Sequence, residues 1–493
     1  MSQQLSSYRQ LFKATSIFGG VQVINIIVSI IRSKFVAILL GPAGMGLFGL
    51  FSSTLGLIGG LIGFGLNTSA VRDIARAYEM GDKQRIGKVA AVVKKLVWFT
   101  GVAGMVLCFL GAPWLSKFTF GDSNYTFAFY WLSVSILFNQ LAVEKVVILQ
   151  GTRQLKYLAK ANVIGSVAGL LVSIPVYYFY GKAGIVPSII FSSFSAFCIA
   201  WYFSRKVNIE IIKVNLNTIW IEGKTMVGMG FLINLSIYFV AIESYIIRIF
   251  ISNTGSINDV GLYNAGFSII GTYVGMVFTA MATDFYPRLS GVASDNIKVR
   301  GLVNQQAEIA LLILGPVLAI FLIFIDWVVI ILYSKQFLAI SAMVHWATLG
   351  IFFKAASWSI AFIFLAKGAG KIFFLNEFFA VIVVGLCNIL GYKLGGLTGL
   401  GISFLVAYVI YFLQVLIIVV RKYNFSFHPS FLKIFGIQML LVLTCFFIAN
   451  FVPSTGKYIS GSLVIGFSVL YSFRELNTRM QLLAFIKSKV WRN

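Results

Sequence analysis

Apolar runs long enough to cross a bilayer recur from Ala14 to Phe473, separated only by short polar breaks. A helix needs about 20 residues to cross the hydrocarbon core. At that length the pattern predicts spans at 14–40, 47–70, 90–112, 126–149, 160–180, 184–204, 225–252, 260–286, 301–325, 341–366, 371–392, 398–420, 434–452 and 458–473. Lipid offers backbone amides no partner, so each run is expected to be helical. The chain therefore reads as an all-α membrane protein of about fourteen transmembrane helices, with no room for a soluble domain between them. The tail at 474–493 alternates Arg474, Arg479, Lys487, Lys489 and Arg492 with Leu482, Phe485, Ile486 and Trp491. That mixture predicts an amphipathic helix lying on an anionic leaflet.

Polar positions inside three spans share helical faces. In the first span Gln22, Asn25, Ser29 and Arg32 follow spacings of 3, 4 and 3, one polar stripe ending in a cation. In the seventh, Asn234, Tyr238, Ala241, Tyr245 and Arg248 make a second stripe with the same ending. In the tenth, Lys354 lies near the middle with Gly350, Ser357 and Trp358 on its face, where snorkelling to water is hardest. A charge at a span centre costs at least about 2.5 kcal/mol, so it faces a partner or a wet cavity. Buried carboxylates are one set of partners, with Glu144, Glu243, Asp284, Glu308 and Glu377 available. A bound anion is the other. Arginine suits phosphate because its fork holds two oxygens and stays charged when desolvated. Lys34, about 200° around the helix from Arg32 at 3.6 residues per turn, is better explained by snorkelling. Glu144, Glu243 and Glu377 are candidates for ion or proton coupling.

Composition sharpens this picture. The 493 residues are 59% hydrophobic and 11% charged, against about 25% charged in soluble domains. The net charge of +24 would suggest nucleic acid in a soluble protein, yet the basic residues fall in alternate loops. One side holds 29 of the 39 Lys and Arg residues, the other only Lys117, Lys182, Lys335, Lys393 and Lys457. The positive-inside rule places both termini in the cytoplasm, with an even number of crossings and no nucleic-acid partner. The first span is too long for a signal peptide and lacks a small-x-small cleavage site. Four cysteines sit in apolar runs without metal spacing and read as packing residues. With two histidines and no Asp-x-Asp pair, no catalytic constellation, metal site or cofactor is expected.

A weak repeat lays spans 1 and 2 over spans 7 and 8 at an offset near 215 residues, so that Gly46-Leu47-Phe48 meets Gly261-Leu262-Tyr263. Six helices per repeat would give two parallel lobes with a site between them. Gly44-Met45-Gly46-Leu47-Phe48-Gly49 fits G-x-G-x-x-G, but no strand precedes it, so a dinucleotide site fails its context test. Gly56/Gly60, Gly59/Gly63 and Gly271/Gly275 are small-xxx-small pairs, expected to be close helix contacts.

Ile38-Leu39-Leu40-Gly41-Pro42-Ala43-Gly44-Met45-Gly46-Leu47, the turn at Asp259-Val260-Gly261-Leu262-Tyr263, and Asp326-Trp327 through Ser334-Lys335-Gln336-Phe337 resemble the Wzx-type repeat-unit flippases of polysaccharide and O-antigen assembly. These belong to the multidrug/oligosaccharidyl-lipid/polysaccharide exporter superfamily. The likeness runs from about residue 10 to 422. It implies two six-helix lobes, 1–204 and 225–420, around a central cationic cavity. They are joined by a cytoplasmic linker at 205–224 and followed by two extra helices within 421–473 and the tail 474–493. It implies movement of an undecaprenyl-diphosphate oligosaccharide across the bacterial inner membrane, with membrane lipids as surroundings. A polysaccharide polymerase and a chain-length regulator are implied partners. It also implies substrate-binding roles for Arg32, Arg248 and Lys354, alongside Asn25, Ser29, Asn234, Tyr238 and Tyr245 from the stripes. Glu377 falls where similar sequences carry a glutamate. The alternatives are a cation-coupled drug antiporter of the same superfamily, which should line its cavity with carboxylates, a lipid II-type flippase, a membrane glycosyltransferase, and a passive scaffold.

Overall fold

A computed structural model describes residues 2–210 and 212–480; its side chains are described from Ile24 onward, apart from positions 273, 276, 280, 283, 454 and 480. Helices form every regular element among the described residues. They are α1 (Ser2–Gly63), α2 (Leu66–Glu79), α3 (Lys83–Leu110), α4 (Ala112–Phe120), α5 (Thr126–Gly151), α6 (Leu155–Tyr180), α7 (Ile185–Ser204) and α8 (Leu216–Thr254). They continue as α9 (Ile257–Ser268), α10 (Gly275–Gly291), α11 (Asn296–Leu332), α12 (Ser341–Ala366), α13 (Gly370–Tyr423), α14 (Pro429–Phe451) and α15 (Ser454–Met480).

Ten helical stretches are long and apolar enough to cross a membrane. Three of these must reverse, because at 1.5 Å per residue a 54-residue helix would be about 80 Å long against a core of roughly 30 Å. The first reversal is in α1 at Gly41, with φ 65° and ψ −172°. Pro42 pushes the preceding residue out of the helical region, and only glycine adopts positive φ without a Cβ clash. The second is the 3₁₀ turn Gly181–Gly184 between α6 and α7. The third is in α13 at Gly395 and Gly396. The α13 halves fold back on each other, with Ser403 Oγ donating to Asn388 Oδ1 at 2.8 Å. A Cβ on Gly399 would lie 1.8 Å from the Gly391 carbonyl oxygen, so the hairpin needs both glycines bare. Split at these reversals, the ten stretches give thirteen helices of membrane-crossing composition, and α15 follows them as a fourteenth long helix among the described residues, matching the fourteen apolar runs.

Some boundaries differ, each for a reason. The second span ends at Gly63 and turns through Phe64 and Gly65, both at positive φ, into α2. The seventh begins at Leu216 rather than 225, so half of the expected linker is helix. Asn215 caps this start by accepting from Thr218 N at 2.8 Å, and Glu222 holds it in place by accepting from Arg85 Nη1 and Nη2 at 2.5 and 2.7 Å. The eighth is interrupted by a π turn at Ile269–Val274. Helix α15 runs seven residues past the expected end at 473; the tail from 481 onward lies outside the described residues.

Packing divides the chain into two compact units, Met1–Gly261 and Leu262–Asn493. In the first, α8 packs on α1, α2, α3 and α4. The close approach of α1 to α8 rests on Gly65 and Gly230, where a Cβ on either would fall within 2.4 Å of the other segment's backbone oxygens. The start of α9 meets the second half of α1 in the same way. A Cβ on Gly46 would lie 2.0 Å from the Ile257 carbonyl oxygen, and one on Gly261 would lie 1.8 Å from that of Pro42. The two glycines matched by the sequence repeat therefore touch reciprocally.

In the second unit α11 packs against α12, α14 and α15. Buried polar bonds fasten the last two helices, as is usual where lipid removes the hydrophobic drive between helices. Gln438 of α14 donates to Ser472 Oγ at 2.7 Å and accepts from Ser468 Oγ at 2.8 Å, both on α15. Glu308 of α11 accepts from Arg479 Nε at 2.9 Å and from the Ser430 hydroxyl. Asp326 accepts from Lys457 Nζ at 3.1 Å and Ser341 Oγ at 2.6 Å.

Candidate functional site

The first unit holds three cavities that meet at one residue. The first, of about 350 Å³, lies among α1, α5, α6 and α7, and Arg32 projects into it. It is lined with short polar side chains, including Asn25, Asn139, Asn162, Ser166, Ser192 and Ser193, and no carboxylate. Gly169 of α6 makes room for the guanidinium, since a Cβ there would lie 3.0 Å from Arg32 Nη2. Arg32 Nε is buried without a hydrogen-bond partner, and Arg32 makes no ion pair among the described residues. A half-buried cation with no ion-pair partner among the described residues, set beside neutral amides and hydroxyls, is a site for an anion, because these polar groups can donate to it and no lining carboxylate repels it.

The second cavity, of about 510 Å³, is lined by α1, α2, α5, α7 and α8, through residues that include Gly56, Gly59, Gly60, Gly63, Asn67, Gln140, Asn234 and Tyr238. The third, of about 430 Å³, extends from Asn67 and Thr68 to Gln150. Asn139 of α5 lines all three. The glycines of the second cavity correct an expectation. Among the described residues nothing lies within 4 Å of a Cβ added to Gly56, Gly59, Gly271 or Gly275, so at none of the four does the missing side chain make room for another helix. A Cβ on Gly60 would lie 3.7 Å from the Tyr238 ring, and one on Gly63 would lie 3.1 Å from Gln140 Nε2.

The stripe residues divide among different surroundings. Asn25 shares the Arg32 cavity and accepts from Ser166 Oγ at 3.2 Å, while Ser29 is exposed and outside the lining. The Gln22 side chain lies outside the described residues. Asn234 and Tyr238 line the second cavity. Tyr245 is buried, its hydroxyl 2.7 Å from Thr119 Oγ1 and accepting from Thr54 Oγ1 at 3.1 Å. Arg248 turns back along α8, donating from Nη1 to the Ser244 carbonyl at 2.8 Å, and lines none of the three cavities.

In the second unit Lys354 Nζ sits 5.1 Å from the Tyr408 ring centroid and 5.9 Å from that of Phe278. This cation–π seat substitutes for a carboxylate. Glu377 accepts from Tyr411 Oη at 2.6 Å. Glu144 is held by Lys145 Nζ at 2.8 Å, and Glu243 lies half-buried on α8. Asp284 pairs with Arg288 and Glu308 with Arg479. No group of three or more His, Cys, Asp or Glu side chains that could hold a metal occurs among the described residues.

Hydropathy did not single out Asn139, Asn162, Ser166, Ser192 or Ser193. Asn162, Ser166, Gly169 and Ser173 follow spacings of 4, 3 and 4 on α6, the pattern that marked the arginine stripes.

Known proteins give the arrangement a context. The structure is similar to that of the lipid II flippase MurJ in an inward closed conformation, with a TM-score of 0.67 at 15% identity over 94% of this chain and 99% of that one. It is also similar to an inward-facing multidrug resistance MATE family transporter of the MOP superfamily, with a TM-score of 0.64 at 16% identity over 82% and 96%. The MATE transporter VcmN of Vibrio cholerae gives 0.56 at 16% identity over 88% and 100%. No curated protein matches the sequence. The fold is thus the one these solved transporters share. A family described as polysaccharide biosynthesis protein matches residues 35–342, well over half of the chain, and this multi-pass membrane protein belongs to that family.

Proposed function

We propose that the protein is a flippase that moves an undecaprenyl-diphosphate-linked oligosaccharide repeat unit from the cytoplasmic to the periplasmic leaflet of the bacterial inner membrane. It works by alternating access, with the halves 1–204 and 225–420 as the moving bodies and both termini in the cytoplasm. The observation that carries this reading is Arg32, half-buried in a polar cavity with a buried, unpartnered Nε and no carboxylate in the lining. A diphosphate satisfies such a group through charge-assisted bonds that a neutral ligand cannot make. A cation-exporting antiporter needs the opposite lining. Arg248 and Lys354 are further candidates for substrate binding, and the sugars remain in hydrated space while the polyprenyl tail stays in lipid. Glu377, held by Tyr411, is the first candidate for ion or proton coupling, ahead of Glu144 and Glu243. The product supplies a polymerase and chain-length regulator for polysaccharide or O-antigen assembly.

The test is transport of a defined lipid-linked oligosaccharide in reconstituted vesicles, with and without an ion gradient. A hydrogen bond to a charged group contributes about 1.5–3 kcal/mol, so Arg32→Ala should cut transport by about ten- to a hundredfold at equal protein level. Arg32→Lys should retain part of it. Wild-type transport by Arg32→Ala would refute the diphosphate assignment.

A further inference from the structure

The second cavity of the first unit differs in chemistry from its neighbour. None of its lining residues is charged. Its polar side chains are four amides and the hydroxyls of Ser52 and Tyr238, and two of the amides are more than nine-tenths buried: Gln140 is 5% exposed and Asn234 is 8% exposed. Each spends its nitrogen on protein, Gln140 Nε2 on the Gly59 carbonyl at 2.8 Å and Asn234 Nδ2 on the Gly230 carbonyl at 3.0 Å. Their side-chain oxygens, with no protein donor among the described residues, remain for a ligand that can donate. Gly56, Gly59 and Gly60 line the same cavity; among the described residues a Cβ added to Gly56 or Gly59 would meet nothing within 4 Å, and one on Gly60 would lie 3.7 Å from the Tyr238 ring. The volume of about 510 Å³ falls within the roughly 300–1,000 Å³ typical of small-molecule sites.

We propose that this cavity is the subsite for the neutral sugar rings of the carried substrate, and that Gly56 and Gly59 set how bulky a glycan it admits. Sugar hydroxyls donate as well as accept, which matches amide oxygens left unpaired. The apolar face of a sugar ring suits an aromatic side chain. A diphosphate, which only accepts, gains nothing from those oxygens, and an organic cation finds no counter-charge. Asn139 lines both this cavity and the one holding Arg32, so a diphosphate at Arg32 and the sugar attached to it fall in adjoining spaces. The inference rests on the flippase reading and specifies which part of its substrate goes where.

The discriminating experiment uses the full-length protein, purified and reconstituted, with three probes: undecaprenyl diphosphate bearing no sugar, one sugar and several sugars. Binding is compared for wild type, Gly59→Ala and Gly59→Leu. Gly59→Leu should weaken binding of the multi-sugar probe at least tenfold and leave the sugar-free probe within twofold, while Gly59→Ala has an intermediate effect. Because the readout is a ratio within one preparation, partial loss of folded protein does not imitate it. If Gly59→Leu weakens all three probes equally, or wild type binds sugared and bare carriers with the same affinity, the sugar subsite is wrong and the flippase reading stands. If wild type binds no probe, the flippase reading fails and the subsite with it.

Discussion

Arg32 depends on a residue that carries no chemistry of its own. Gly169 leaves the guanidinium its place, and a methyl there would lie 3.0 Å from Nη2. Gly169→Ala should therefore displace the cation without removing it. In vesicle transport over a range of substrate concentrations, the half-saturating concentration should rise severalfold while the maximal rate changes less than in Arg32→Ala. Equal loss of rate in the two variants would show that Gly169 matters only for packing. At this scale the sequence speaks loudest through cost. A guanidinium within a span is expensive enough to mark its own surroundings, and Asn25, on the same helical face, lines the same cavity. Asn139 and Ser192 pay far less for their depth and so do not stand out from the helices that carry them. Gly56 and Gly59 were misleading for a related reason: small residues permit close packing but do not oblige it, and here they border empty space.

Among the elements, the polar seam between α14 and α15 is the most readily tested. Gln438 bridges Ser468 and Ser472 at the depth of the membrane. Interhelical hydrogen bonds there are worth about 0.6–2 kcal/mol each. Gln438→Leu should lower the thermal unfolding temperature in detergent by several degrees while leaving the Arg32 cavity, which lies in the other unit, able to bind. A second element-level test is Gly41→Ala. Its φ of 65° strains any L side chain, at about 1–3 kcal/mol, and the same thermal assay should register the loss. Helices and reversals were legible because membrane thickness, Gly-Pro and Gly-Gly leave few choices. The early start of α8 was not, since it depends on Arg85 reaching Glu222 from a helix 137 residues away in sequence. The short α4 was hidden too, because nine residues are too few for a periodic signal.

For the molecule as a whole, the internal repeat has a mechanical corollary. Gly46 and Gly261 occupy matched positions and press on each other's segments at once. A methyl on either must push the two helix starts apart, and the space so made already accommodates a methyl on the other. Gly46→Ala and Gly261→Ala should each lower the unfolding temperature, yet the double variant should fall little below the worse single, a coupling of about 0.5–3 kcal/mol in a double-mutant cycle. Simple addition of the two effects would mean that the glycines act separately. The same reciprocity bears on descent: a lineage that replaces one of these glycines relaxes the constraint on its counterpart, so the two positions should drift as a pair even though 214 residues separate them.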